Sequence, residues 1–288
     1  MFLIVDSGST KATWSVVDRH GTQQHSVTTA GLNPVYADAA SIAPIAQTVS
    51  SEIANHYKIS VIHFYGAGCI AEQQCRTIAT ALQSMIECPS IHVESDMMGA
   101  ARALFGTGQG VACILGTGAN AAYYDGSSLT AAAYAGGFIL GDEGSGAVLG
   151  RHLIADWVKR QIPTVLYNLL TDQYSLSYST VVDHVYHQPY PNRYLASFAP
   201  FISAHADHPY IDSLLAAELD AFFSRNIVQY PLTTPLGFVG SIAHHFSTQL
   251  HAAAARAGRT ITDIQQNPIA ALGLYHTATA ATRRKGNL

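Results

Sequence analysis

The chain has 288 residues, a formal net charge of -4, 48% hydrophobic residues and only 12% charged ones, about half the charged share usual for a globular protein. That composition excludes a disordered chain, and the weak negative charge excludes the electrostatic footprint of a nucleic-acid binder. No apolar run approaches the roughly 20 residues that cross a bilayer, and Phe2, Leu3, Ile4 and Val5 are too short a run, with no basic segment before it, to be a signal peptide.

The expectation is therefore a cytoplasmic protein with no membrane partner, long enough for two ordinary domains. The one basic cluster, Arg283, Arg284 and Lys285, reads as a solvated helix end. Cys69, Cys75, Cys88 and Cys113 lack CxxC spacing and are expected as reduced thiols.

In chain order, FLIVDSGSTKATWSVVD reads as an apolar strand, a turn of small hydroxyl and glycine residues, and a second strand. Residues 41–57 read as an amphipathic helix, VIHFYGAG as a strand ending in a glycine turn, CIAEQQCRTIATALQSMI as a helix, IHVES as a strand and DMMGAARALFG as a helix. VACILGTGANAAYYDGSS then repeats the opening pattern about one domain length later. GSGAVLGRHLIADWVKRQI starts a long helix, and the Tyr-rich stretch 171–210, around YHQPYPNRY, reads as polar loop. PLGFVGSIAHHF gives strand, glycine turn and helix, and NPIAALGLYHTATAATRR closes the chain as a helix with Pro268 at its start.

Strands alternating with helices imply an α/β fold with a mostly parallel sheet. The internal repeat implies two domains of similar design. Their boundary is placed near residues 106–110, giving lobes of 1–106, joined by the closing helix 268–288, and 107–267.

The first turn suits an anion. Small residues let backbone N–H groups converge, Ser7, Ser9 and Thr10 add hydroxyl donors, and Lys11 adds charge. Asp6 at the strand end can hold a hydrated Mg²⁺ beside a phosphate; an ordinary β-hairpin is the plainer reading of the same residues. The loop feeds a strand, so it is neither a Walker A nor a GxGxxG site. The second turn, with Gly116, Thr117, Gly118 and Asn120, could clasp phosphates from the opposite domain.

Asp96 follows a strand, where open α/β sheets place ligand groups. A carboxylate there can take a hydroxyl proton during phosphoryl transfer, or Ser95 and Asp96 can simply cap the next helix. GGFILGDEGSGAVLG holds six glycines in fifteen residues. Asp142 within it can bond substrate hydroxyls, while Glu143 can open the helix. Gly240 and Ser241 lie in a strand-to-helix turn that lets a base or ribose approach the backbone. The fourteen histidines show no zinc spacing and no GxSxG elbow occurs.

Taken in order, DSGSTKATW, ESD, LGTGAN, LGDEGSG and GFVGS resemble the N-acetylglucosamine kinase family within the BadF/BadG/BcrA/BcrD ATPase group of the actin-like ATPase superfamily. The resemblance implies two RNase H-like domains with ATP and Mg²⁺ in a nucleotide cleft between them. It places Ser9, Thr10, Lys11, Gly116 and Thr117 on the phosphates and Gly240 and Ser241 on the adenosine side. It makes Asp96 the base toward the sugar 6-hydroxyl and assigns sugar contacts to Asn33, Asp96, Gly118, Asn120 and Asp142. The implied partners are a sugar and ATP, with a homodimer left open.

The sequence departs from the family at Gly136–Leu140, where it lacks a Trp-Gly pair and is shorter. Two other readings carry less weight. A BadF-type activator needs cluster-binding cysteines after the second phosphate turn, and the last cysteine here, Cys113, precedes it. A sugar or nucleotide sensor would bind without turnover, and repressor relatives add a helix-turn-helix before the first strand.

Overall fold

The structure, a computed structural model, describes residues 1–34, 39–132 and 134–285. The chain divides into two compact units. One comprises Met1–Gly110, Tyr124–Thr130 and Asn267–Leu288, the other Val111–Tyr123 and Ala131–Gln266.

The first unit is built on β1 (Phe2–Ser7), β2 (Lys11–Val17), β3 (Gln23–Ala30), α1 (Ala39–Val49), β4 (Val61–Gly66), α2 (Glu72–Met85), β5 (Ile91–Ser95) and α3 (Asp96–Phe105). Its sheet runs β3-β2-β1-β4-β5, with β1 antiparallel to β2 and parallel to β4, and β4 parallel to β5. Alternate residues of β1 face opposite cores. Leu3 and Val5 pack with Trp14, Phe64 and the α2 residues Ile78 and Leu82, while Ile4 packs with Tyr65 and the closing helix. Burial on both faces is why β1 reads as an unbroken apolar run.

The helix expected at 41–57 is α1, extended by a π turn over Ser50–Ala54. Strand β3 escaped the sequence reading. Its QQHSVTTA lies at the sheet edge, where only alternate residues are even half-buried, so no apolar run marks it.

The second unit repeats this strand order as β10-β9-β6-β7-β8. Its elements are β6 (Gly110–Leu115), β7 (Ala119–Tyr124), β8 (Leu129–Ala132), α4 (Gly137–Leu140), α5 (Gly146–Val158), α6 (Thr164–Tyr174), α7 (Tyr178–Tyr186), α8 (Pro191–Ala196), α9 (Ala199–Ala204), α10 (Pro209–Phe222), β9 (Leu236–Val239), α11 (Ser241–His245), α12 (Ser247–Arg256) and β10 (Ile261–Gln265). The two strand-turn-strand copies seen in the sequence are β1-β2 and β6-β7, each with its first strand at the centre of its sheet.

The stretch 171–210, expected as a loop-rich polar region, is instead mostly helical, with α7, α8 and α9 between the end of α6 and the start of α10. Its prolines Pro191, Pro200 and Pro209 sit in the first turns of α8, α9 and α10, where a missing N–H costs nothing. Val181, Leu195, Phe198, Phe201 and Ile202 between them join the core of this unit. Fully burying a side chain of this size contributes about 1.5–3 kcal/mol, so helix spacing of a few large residues outweighs a polar average.

The closing helix, α13 (Ile269–Lys285), returns to the first unit. Ile269 and Leu272 pack on Ile4, Val17 and Tyr65. His276 stacks on His63 with ring centroids 3.5 Å apart, and its Nε2 lies 2.7 Å from the Tyr65 hydroxyl. Burial, with His63 and Arg102 nearby, pushes the His276 imidazole down to about 2, so it is neutral there. Among the described residues no helix is long and apolar enough to cross a membrane.

Candidate active site

In the first unit the parallel register sets Asp6 beside Tyr65 and Ser7 beside Gly66, with Ser95 beside Gly66 on the far side. The ends of β1 and β5 are thus one strand apart, about 10 Å at the usual strand spacing. Asp6 and Asp96 are brought close enough to interact. Burial pushes the Asp6 carboxyl up to about 7, the charge of Asp96 adds to the rise, and Lys11 opposes it. Burial likewise pushes Asp96 up to about 6, against hydrogen bonding from the backbone.

Which residue caps α3 is settled by geometry. Ser95 Oγ accepts the Met98 N–H at 3.3 Å, so Ser95 is the cap and Asp96 is the first helical residue. One Asp96 oxygen accepts the Met97 N–H at 2.9 Å. The Asp6 side chain makes no hydrogen bond within the described residues, which leaves a half-buried carboxylate with no protein donor of its own.

The first turn is closed by the Gly8 N–H donating to Lys11 O at 3.0 Å, with Ser9 half-buried and Thr10 and Lys11 exposed. It is clamped to the segment Ala30–Pro34. Ser7 Oγ accepts the Leu32 N–H at 2.9 Å and donates to Leu32 O at 3.2 Å, and the Gly31 N–H donates to Thr10 O at 3.1 Å. A β-carbon at Gly31 would come within 2.2 Å of Gly8 O, so only glycine allows this approach. Asn33 is held just beyond, its Oδ1 only 2.6 Å from where a β-carbon on Gly68 would stand. The turn, Asp6, Asp96 and Asn33 therefore belong to one edge of one unit.

In the second unit the turn after β6 is anchored by α5. The Gly146 N–H donates to Gly116 O at 2.8 Å and the Ala147 N–H to Thr117 O at 3.1 Å, and Ser145 Oγ accepts the Val148 N–H at 3.2 Å. The first-turn donors of α5 are spent on the loop, so a phosphate here must be met by the loop itself. Asn120 Oδ1 accepts the Ala121 N–H at 2.9 Å.

Asp142 lies against this turn. Its Oδ2 would be 3.0 Å from a β-carbon on Gly118. Burial pushes its carboxyl up to about 6, opposed by a hydrogen bond from the Ala119 N–H and reinforced by Glu143. Its φ of 55° is a left-handed conformation that costs a non-glycine residue about 1–3 kcal/mol and is common at ligand sites. Glu143 does not open the helix. It accepts from Arg225 Nη1 and Asn226 Nδ2, each at 3.2 Å, and serves to fix the loop. Gly240 has a φ of 128°, and a β-carbon there would meet Leu115 O at 2.2 Å, which packs the Gly240-Ser241 turn onto the base of the Gly116 turn.

The sequence reading missed the positioning partners: Leu32 for Ser7, Gly68 for Asn33 and Ala119 for Asp142. Only the YGAG turn containing Gly68 left a local trace. The four cysteines are free, with Cys69 and Cys113 buried.

Two mixed sheets with one strand order, each presenting a glycine and hydroxyl turn after its central strand, define the actin-like ATPase fold with two RNase H-like domains. Comparison with family models and with curated proteins finds no match. Solved structures do match. A proposed N-acetylglucosamine kinase from Porphyromonas gingivalis is 39% identical, with 97% of this chain and 100% of that one covered and a TM-score of 0.90. A proposed N-acetylglucosamine kinase from Chromobacterium violaceum shares 17% identity over 96% of this chain and 98% of that one, with a TM-score of 0.73. A ROK family glucokinase from Streptomyces griseus, solved with glucose and AMPPNP, shares 14% identity over 98% and 99% of the two chains, with a TM-score of 0.53. The last two show the fold. On the first, the chain belongs to the N-acetylglucosamine kinase-like family of the actin-like ATPase superfamily.

Proposed function

We propose that the chain is a cytoplasmic, ATP-dependent sugar kinase that phosphorylates the 6-hydroxyl of an amino sugar, with N-acetylglucosamine the first candidate. The observation that carries this reading is the full-length likeness to a proposed kinase of that sugar. The site chemistry agrees with it. Asp96, pushed up to about 6, is a base poised near neutral pH.

In this reading the 6-hydroxyl oxygen attacks the γ-phosphorus while the bond to the β-γ bridging oxygen breaks; the hydroxyl proton passes to Asp96, and ADP leaves with the bridging oxygen. Ser9, Thr10, Lys11, Gly116 and Thr117 hold phosphates, Gly240 and Ser241 meet the adenosine, and Asn33, Gly118, Asn120 and Asp142 orient the sugar. Most of the rate comes from that positioning and from charge stabilisation.

A divalent cation fits Asp6, whose half-buried carboxylate lacks a protein hydrogen-bond donor and whose ionised form a cation would restore. Mg²⁺ takes one or two carboxylates plus phosphate and water, and when bound it would neutralise phosphate charge. The catalytic lobes would be residues 1–106 with 268–288, and 107–267, whereas the compact units place Tyr124–Thr130 with the first.

The test is ADP release from Mg-ATP against hexoses, N-acetylhexosamines, N-acetylmuramate and buffer. Stimulation by N-acetylglucosamine alone supports the full reading, and stimulation by another sugar moves the substrate while keeping the mechanism. Sugar-independent hydrolysis, or none, overturns the kinase in favour of a BadF-type ATPase or a sensor.

A further inference from the structure

The short helix α4 leads directly into Asp142, yet its own residues give it little reason to be ordered. None of the four is buried, and Ile139 and Leu140 are 70% and 82% exposed. Phe138 alone among them packs, half-buried, against the core of the second unit. A helix of one turn carries the cost of nucleation with almost no propagation to offset it, and its last carbonyls have no partners within the helix.

Arg151, in the second turn of α5, supplies those partners. Its Nη1 donates to Phe138 O at 2.6 Å and to Ile139 O at 3.4 Å, and the C-terminal end of a helix favours both the hydrogen bonds and the positive charge. Among the described residues the remaining contact of the guanidinium is Nη2 to His152 Nε2 at 3.4 Å, so no carboxylate competes for it. Helix α5 is a firm base for this side chain. Leu149 and Leu153 are fully buried, and Gly150 is pressed onto α8 so closely that a β-carbon there would meet Leu195 O at 1.9 Å.

What the capped segment fixes is Asp142. The Gly141 N–H donates to Gly137 O at 2.8 Å and the Asp142 N–H to Ala135 O at 3.0 Å, while on the other side the Ser145 N–H donates to Asp142 O at 3.0 Å. The Gly144 N–H donates to Glu218 Oε2 at 3.4 Å. A left-handed non-glycine residue persists only where its surroundings over-determine it. After Asp142 the chain is tied to α5 and α10; before it, the chain is folded back on α4, which Arg151 secures.

We propose that Arg151 is a positioning residue for the sugar site: by capping α4 it fixes the segment 135–141 and so holds Asp142 against Gly118. Its effect on the sugar rests on the kinase reading, in which Asp142 orients that substrate, whereas its effect on the backbone does not.

The test has two parts, both on the full chain. Without ligand, amide hydrogen exchange resolved to single residues compares the unmodified chain with Arg151→Met, which keeps the apolar stem and removes the donors. Gly141 and Asp142 are expected to exchange at least about tenfold faster in the variant, with Val148 and Leu149 in α5 within about twofold of the unmodified chain. Arg151→Lys keeps a charged donor and should fall between the two; should Arg151→Met not fold, Arg151→Lys decides, with exchange at Gly141 and Asp142 expected to be at least about threefold faster. Unchanged exchange at those two amides, or an equal rise at Val148 and Leu149, overturns the proposal. In ADP release with the sugar that stimulates it, Arg151→Met is expected to raise the KM for the sugar at least about tenfold and to leave the KM for Mg-ATP within about twofold. An unchanged sugar KM, or equal rises in both, overturns the proposal as well. Should no sugar stimulate ADP release, the kinase reading fails, and the exchange result still decides whether Arg151 holds Asp142.

Discussion

Replacing Asp6 by asparagine is expected to stabilise the protein while removing activity, and the stabilisation should depend on pH in a defined direction. The Asp6 carboxyl lies near 3.8 in an unstructured chain and is pushed up to about 7 in the fold, chiefly by burial. At about 1.4 kcal/mol per pH unit, ionised Asp6 costs the folded state on the order of 4 kcal/mol above pH 7. An amide of the same shape is itself costly to bury, by roughly 1–3 kcal/mol, so the net gain expected for Asp6→Asn at pH 8 is about 2 kcal/mol. For a chain of this size that corresponds to a rise in Tm of about 3 °C.

Below about pH 4 both folded and unfolded Asp6 are protonated, and the penalty is absent. Between pH 4 and 7 the folded state keeps a proton that the unfolded state has released, so stability of the unmodified chain falls as pH rises and the gap to Asp6→Asn opens. Above pH 7 the gap is constant. The assay is thermal unfolding of both proteins from pH 4.5 to 8 without nucleotide or Mg²⁺. A gap that does not grow with pH, or a variant less stable at pH 8, would refute the assignment of Asp6 as a desolvated carboxylate.

Mg-ATP is expected to raise the Tm of the unmodified chain more than that of Asp6→Asn, read in the same unfolding assay, because the cation relieves the penalty that the variant lacks. Asp96→Asn should lower turnover by about 10²–10⁴ with ATP affinity nearly unchanged, measured by ADP release and calorimetry. For the unmodified chain, kcat/KM should fall on the acid side with an apparent pKa near 6, to about one tenth at pH 5, since the base must be ionised. Ser7→Ala leaves the buried Leu32 N–H without its acceptor and should cost about 1–3 kcal/mol in chemical denaturation, with KM for the sugar rising as Asn33 loses its anchor.

The legible part of the candidate site was the part written in contiguous residues. Asp6, Gly8, Thr10, Gly116 and Thr117 stand in short glycine and hydroxyl turns between apolar strands, and turn chemistry is local. Asp96 was legible as a strand-end carboxylate, but whether it or Ser95 capped α3 could not be read from adjacent residues that both favour a cap; the hydrogen bond from Met98 decided it. Glu143 looked like a helix opener from its position before α5, and its partners Arg225 and Asn226 lie some eighty residues away. The helices over 171–210 were hidden because proline and tyrosine lower the apparent helical signal, although proline in a first turn favours a start.

The sequence by itself determined the duplicated strand-turn-strand design, the alternation of strands and helices, and the identity of the polar residues offered at the strand ends, because periodicity and turn residues act over a few positions. Only the tertiary structure decided which of those residues meet. It set Asp6 within range of Asp96, Asp142 against Gly118, and Glu143 against Arg225 and Asn226. Each of these depends on desolvation and on contacts between segments far apart in the chain, and free energies of that kind arise only when the chain has closed around the group.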